Sequence, residues 1–296
     1  MSNKAKLLLA TDLSDNAKPA AVWAQGFGEA GGADVHLVHV VEISAANWAS
    51  GAYALLEEAR LQDQAREKVT QWYAEATGGE PAGVDVRVGT PATQLAEAVR
   101  DSKADLLVVA RTGKRAWERF LVGSTARALA LDPPCELVIV HPEHGRAEVG
   151  NIVLGTDFSE NAGRALAFAA GLARRYGAKL HIVHAEEVDE LQALDALAGE
   201  LIPTEHRRAE SERASSERLA DLVQNSAAEL EGVEHTTRAL TGMPARALAE
   251  YCKKGGADLL VVGRAGHSAL LAHVLGSVVN GVLQAAPTHL VIVPAA

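Results

Sequence analysis

The sequence predicts an α/β protein made of two tandem doubly wound domains, each a five-stranded parallel sheet flanked by helices. Three observations lead there. The chain repeats itself: 11–24 (TDLSDNAKPAAVWA) over 156–169 (TDFSENAGRALAFA), at an offset of 145, matches seven of fourteen positions, and 104–113 (ADLLVVARTG) over 257–266 (ADLLVVGRAG), at an offset of 153, matches eight of ten. Self-similarity on that scale marks a duplicated structural unit. Within each copy, short Val/Ile/Leu runs alternate with longer segments whose apolar residues recur at helical spacing. That is the pattern of strands buried on both faces and joined by right-handed crossovers. Finally, 296 residues suffice for about two domains, each with its own core.

Taken in order, the first copy's strands are expected at 7–11 (LLLAT), 34–41 (DVHLVHVV), 84–89 (VDVRVG), 105–110 (DLLVVA) and 136–140 (ELVIV). The second copy repeats them at 151–156 (NIVLGT), 179–185 (KLHIVHA), 233–239 (VEHTTRA), 258–263 (DLLVVG) and 289–293 (HLVIV). The segments between are long enough for crossover helices, so each copy reads βαβαβαβαβ. The change of offset places an eight-residue insertion in the second copy between about 187 and 233, a helical stretch rich in Glu, Arg and Ala. Its charged run 205–221 reads as a solvated helix face and a candidate partner surface. Residues 142–150 (PEHGRAEVG) carry Pro, two Gly and charge without an apolar period, and read as the linker between domains 1–141 and 151–296.

Composition excludes several classes. With 28 Lys and Arg against 38 Asp and Glu the net charge is -10, which does not suit a nucleic-acid binder. No window approaches the apolar run a bilayer span requires, and the first ten residues lack a secretion signal, so a cytoplasmic protein is expected. Cys135 and Cys252 are the only thiols, too few for a disulfide framework and too far apart in sequence for a redox or zinc pair.

Ligands of open doubly wound sheets bind beyond the carboxyl ends of the strands, so the residues just after strands are the candidates. Strand 1 of each copy ends in Ala10-Thr11-Asp12-Leu13-Ser14 and Gly155-Thr156-Asp157-Phe158-Ser159, short acidic turns that also supply a helix N-cap. Strand 4 of the second copy runs into Gly263-Arg264-Ala265-Gly266, then nine residues, then Gly276-Ser277-Val278 opening a helix. Glycines let backbone amides approach a phosphate, and a helix N-terminus bearing a hydroxyl offers further donors. The first copy keeps Gly113 and Gly123-Ser124-Thr125 at the same spacing, with Ala110 for the leading glycine.

Thr-Asp-x-Ser after the first strand, with Gly-x-x-Gly, nine residues and Gly-Ser after the fourth, resembles the universal stress protein family, over essentially the whole chain twice. The resemblance implies a strand order 3-2-1-4-5 and ATP binding, with or without Mg, without a dedicated hydrolytic apparatus. By that resemblance Gly263, Gly266, Gly276, Ser277 and Val278 hold ribose and phosphates in the second copy, Asp157 and the backbone at Gly155 face ribose and adenine, and Ala185 sits by the base. The matching first-copy residues are Ala10, Asp12, Val40, Gly113, Gly123, Ser124 and Thr125. Gly263 is expected to adopt positive φ, which the Ala110 side chain disfavours, so the second site should be the tighter.

Other signals are discounted. Gly26-x-Gly28-x-x-Gly31 follows a helix and precedes a strand, the reverse of a dinucleotide site, and is read as a helix C-cap and turn. Lys114 belongs to no P-loop, and no HExxH, CxxC or GxSxG occurs. His36/His39 and His181/His184 split across strand faces and read as structural, and His141 with His144 makes no site. Cys135 and Cys252 read as small buried hydrophobes.

Three function classes compete. The first is an ATP-binding stress-response or regulatory protein whose nucleotide alters partner binding with little or no hydrolysis. The second is an adenylating or slowly ATP-hydrolysing enzyme, disfavoured because Ala10–Ser14 lacks the glycines of an SGGxDS-type loop. The third is a scaffold that has lost nucleotide binding. The fifth strands, Leu137–Val140 and Leu290–Val293, would leave exposed sheet edges, so mutual pairing into an intramolecular pseudo-dimer is expected, with a whole-chain homodimer and an unidentified regulatory protein as further partners.

Overall fold

The computed structural model describes residues 4–42, 54–113, 122–143, 148–186, 204–264, 275–285 and 287–295, with the side chains of 54–61 and 204–208 excepted. It divides into two compact units, Met1–Glu148 and Val149–Ala296.

In unit 1 the strands are β1 (Lys6–Thr11), β2 (Asp34–Val41), β3 (Gly83–Val88), β4 (Leu106–Ala110) and β5 (Glu136–Val140). Every pairing is parallel, and the pairs run β3-β2-β1-β4-β5. The crossovers contain α1 (Lys18–Gly31), α2 (Ala54–Thr77), α3 (Pro91–Ser102) and α4 (Ser124–Leu131). Helix α1 packs with α2, and α3 with α4, which gives two helical layers on the sheet. Leu7, Leu8 and Leu9 are consecutive in β1 and each at most 2% exposed, which requires cover on both faces. Each such leucine contributes about 1.5–3 kcal/mol of transfer free energy.

Unit 2 repeats the plan with β6 (Asn151–Gly155), β7 (Lys179–Glu186), β8 (His235–Thr241), β9 (Leu259–Gly263) and β10 (His289–Val293). Its parallel pairs run β8-β7-β6-β9-β10. The helices are α5 (Glu160–Tyr176), α6 (Thr204–Asn225), α7 (Pro244–Gly255) and α8 (Ser277–Ala285). In both units the connection direction reverses between the first and fourth strands of the repeat. The carboxyl ends of β1 and β4, and of β6 and β9, therefore flank a switch point.

Three local readings are corrected. Strand β8 begins at His235 rather than Val233, because Gly232 at φ 71° and the Val233 N–H bond to the Leu230 carbonyl hold the chain in a turn. Gly26, Gly28 and Gly31 all lie inside α1, and Gly32 at φ 64° makes the C-cap. Gly28 is small for packing: a β-carbon there would sit 2.9 Å from Val35 Cγ2. The first crossover helices also start differently. In unit 2, α5 begins at Glu160, whereas in unit 1 a 3-10 turn (Asp15–Ala17) precedes α1. Pro19, which has no N–H, cannot donate to the Asp15 carbonyl as an α-helix starting there would require.

Candidate functional site

The turn that follows the first strand is built identically in the two units. Thr11 Oγ1 accepts the Leu13 N–H at 3.0 Å, and Thr156 Oγ1 accepts the Phe158 N–H at 3.1 Å. Asp12 Oδ1 accepts the Ser14 N–H and hydroxyl at 3.0 and 2.6 Å, and Asp157 Oδ1 does the same for Ser159 at 3.0 and 2.6 Å. Between them Leu13 and Phe158 are held at φ 63° and 65°, the left-handed region that side chains other than glycine seldom enter. A non-glycine residue strained at the same point of both copies is a feature the surrounding bonds impose. In unit 2 the Ser159 hydroxyl also caps α5, accepting the Ala162 N–H at 3.2 Å; Ser14 makes no such side-chain cap.

A histidine from the neighbouring strand fixes each turn from behind. His39 Nδ1 lies 2.8 Å from the Thr11 carbonyl oxygen, and His184 Nδ1 lies 2.7 Å from that of Thr156. Both rings are buried, and a bond to a carbonyl requires Nδ1 to carry the proton. Val40 and Ala185, the expected neighbours of a base, follow immediately on the opposite face of each strand. Val40 is half-buried and Ala185 buried.

The turn meets the glycine loop in unit 1. Asp12 lies against Gly113, where a β-carbon would collide with its Oδ2, and the Asn16 side chain donates to the Gly113 carbonyl at 3.1 Å. The Gly123 N–H donates to the Arg111 carbonyl at 2.8 Å, and a β-carbon on Gly123 would lie 3.3 Å from that oxygen. Gly123 is the N-cap of α4, its carbonyl accepting the Arg127 N–H at 3.0 Å, and it offers no side chain to the first-turn amides beside Ser124 and Thr125. Close glycine backbone, a helix N-terminus without a side-chain cap, and two hydroxyls form a donor set suited to a phosphate. Arg111, at the end of β4, is 4% exposed, and burial pulls its guanidinium below the ordinary value.

In unit 2, Gly276 plays the same part: its carbonyl accepts the Asn280 N–H at 2.9 Å, one turn into α8, next to Ser277 and Val278. Gly266, like Lys114 and His144, lies outside the described residues. Gly263 ends β9, but its φ is not in the positive range expected of it. It is small because α5 passes close: a β-carbon would lie 3.1 Å from the Asn161 carbonyl oxygen. Gly155 likewise faces protein, with Leu248 Cδ1 3.0 Å from where its β-carbon would be. Ala10 stands at that position in unit 1.

Two pairs that the sequence does not mark as site features are Asn16/Asn161 and His39/His184, the histidines having been read as structural. Each pair recurs at the 145 offset, and that shared retention was the available signal. Among the described residues no group of three His, Cys, Asp or Glu side chains is placed to hold a metal, and no helix is long and apolar enough to cross a membrane.

The family model described as the universal stress protein family matches residues 5–141 and again 148–294. A universal stress protein of Mycobacterium tuberculosis is 27% identical over 305 residues, covering 97% of this chain and 96% of its own. Among solved structures, a universal stress protein from Archaeoglobus fulgidus covers 98% of both chains with a TM-score of 0.66 at 20% identity. A putative universal stress protein from Pseudomonas aeruginosa covers 99% of this chain and 94% of its own, with a TM-score of 0.59 at 14% identity. With the family model matching both halves and the repeated α/β fold in each, this chain belongs to the universal stress protein family, as two tandem family domains.

Proposed function

We propose that the protein binds adenine nucleotide at the carboxyl ends of its strands and uses nucleotide occupancy to change partner binding, with little or no hydrolysis. The observation that carries this reading is the meeting of the Asp12 turn and the Gly113 loop beside the N-terminus of α4, with the matching turn and helix start in the other domain. In the second domain Asp157 and the backbone at Gly155 would face ribose and base, Ala185 the base, and Gly263, Gly266, Gly276, Ser277 and Val278 the ribose and phosphates. In the first, the same roles fall to Asp12, Ala10, Val40, Gly113, Gly123, Ser124 and Thr125. Mg would accompany ATP through its phosphates. Both aspartates use Oδ1 to hold their own turns, which suits positioning better than proton transfer. The second domain is the tighter binder, because Ser159 additionally caps α5 and steadies the turn from the helix side. Acid extraction of the purified protein followed by chromatography should release adenine nucleotide, and calorimetry on stripped protein should show ATP binding. Stripped protein that binds no ATP, ADP or AMP at millimolar concentration would overturn the reading.

A further inference from the structure

In the second domain one further side chain reaches the strained turn. The guanidinium of Arg218, on α6, lies 4.1 Å from the centroid of the Phe158 ring, and the same ring lies 4.5 Å from the imidazole of His184. Phe158 is thus held on its side chain by a cation and a buried histidine while its backbone is held at φ 65°. That backbone is the link between Asp157 and Ser159.

The approach of Arg218 follows from how α6 is latched. Glu186, the last residue of β7, accepts the hydroxyls of Ser211 and Ser215, both at 3.0 Å. Residues 211, 215 and 218 stand at i, i+4 and i+7, one face of a helix, so the latch aims Arg218 at the turn. Leu219, next to it, is 1% exposed and anchors the helix to the core. Among the described residues no carboxylate pairs with Arg218, so the ring is the contact that fixes its guanidinium. In the first copy Leu13 stands for Phe158 and Val41 for Glu186, which removes both the ring and the latch.

We propose that Arg218 is a positioning residue of the second domain: through Phe158 it steadies the Asp157 turn, and so makes the two domains differ in how firmly they present their aspartate. Its consequence for ligand rests on the nucleotide reading above, but its effect on the turn does not. An exposed cation–π contact is worth about a two- to fivefold change in an equilibrium.

The test is a double-mutant cycle on the full chain with Arg218→Met, Phe158→Leu and the double variant, with Arg218→Lys as the conservative rescue. The readouts are amide exchange at Ser159 without nucleotide, and ATP affinity by calorimetry. Arg218→Met should speed Ser159 exchange about two- to fivefold and weaken the tighter ATP event by a similar factor. Arg218→Lys should restore most of both, and Arg218→Met should add nothing in the Phe158→Leu background. Unchanged Ser159 exchange in Arg218→Met, or the same increment in both backgrounds, overturns the proposal. If wild-type protein binds no nucleotide, the exchange arm still decides it, and only the functional reading falls.

Discussion

A β-carbon on Gly263 would sit 3.1 Å from the carbonyl oxygen of Asn161 and 3.2 Å from its carbonyl carbon. At the glycine that ends β9, α5 therefore passes too close to the sheet for a side chain, with both contacts made to backbone that has little freedom to move. Gly263→Ala should cost about 1–3 kcal/mol by overpacking, measured by denaturant unfolding. Since Gly263 has no positive φ, Ala110→Gly in the first domain relieves no backbone strain and should lose about 0.5–1 kcal/mol of stability. A stabilised Ala110→Gly protein would contradict this account.

The acidic turns make a second expectation. Asp157→Ala removes the acceptor for both the amide and the hydroxyl of Ser159. It leaves a half-buried donor to find water and lets Phe158 leave its left-handed conformation. The loss should be about 1–3 kcal/mol, with faster amide exchange confined to 157–162. Asp12→Ala should behave alike in the first domain, and an effect spread over the whole chain would speak against a local role for the turn.

Much of this was legible in the sequence, because duplication doubles every signal. The alternation of strand-like and helical segments located each of the ten described strands to within two residues, and Thr-Asp-x-Ser appearing twice pointed to the turns that the structure builds the same way. What the sequence could not carry was the reason for a residue. A glycine wanted for a close helix approach reads the same as one wanted for left-handed backbone, which is why Gly263 was assigned the wrong cause. The start of β8 was misplaced because Val233 continues an apolar pattern while hydrogen-bonding in a turn. The contact of Arg218 with Phe158 joins elements distant in sequence and left no periodic trace, since α6 reads from sequence as a uniformly charged face.

Calorimetry should assign the phosphates. Gly276→Asp would put a carboxylate at the start of α8, where the proposed phosphates lie, and should weaken the tighter ATP event tenfold or more, about 1.4 kcal/mol. Ser124→Ala removes one hydroxyl at the start of α4 and should touch only the weaker event. If Gly276→Asp leaves the dominant affinity unchanged the phosphate assignment is wrong, and if Ser124→Ala removes that affinity the two domains have been ranked backwards.

The thiols should be silent. Cys135 and Cys252 are buried, and burial pushes each thiol up to about 12, with Glu136 adding to the effect at Cys135. At pH 8 almost none of either is thiolate, the reactive form. A disulfide reagent should label neither in the native protein over minutes and both once the chain is unfolded in denaturant. Prompt native labelling of either cysteine would show that its surroundings open.

Stability should fall as the solution is acidified below neutrality, and two histidines are expected to account for part of the slope. Burial holds His181 below its ordinary value of 6.5, with Lys179 pushing the same way and Glu234 opposing. His36 is lowered by burial and by Lys6 against the opposing Asp34. Both therefore favour the neutral ring in the fold, and His181 is further engaged through Nδ1 with the Tyr251 hydroxyl at 2.9 Å. Between the lowered folded value and 6.5 the unfolded chain binds more protons than the native one. The contribution is then fully present above the unfolded value and lost as pH falls towards the folded one, at no more than about 1.4 kcal/mol per pH unit for each ring. Denaturant midpoints from pH 8 to pH 5 should decline below 6.5, and His36→Gln with His181→Gln should flatten that decline even if the paired substitution lowers stability at pH 8. An equal slope in wild type and the double variant would mean that other groups set the acid limb.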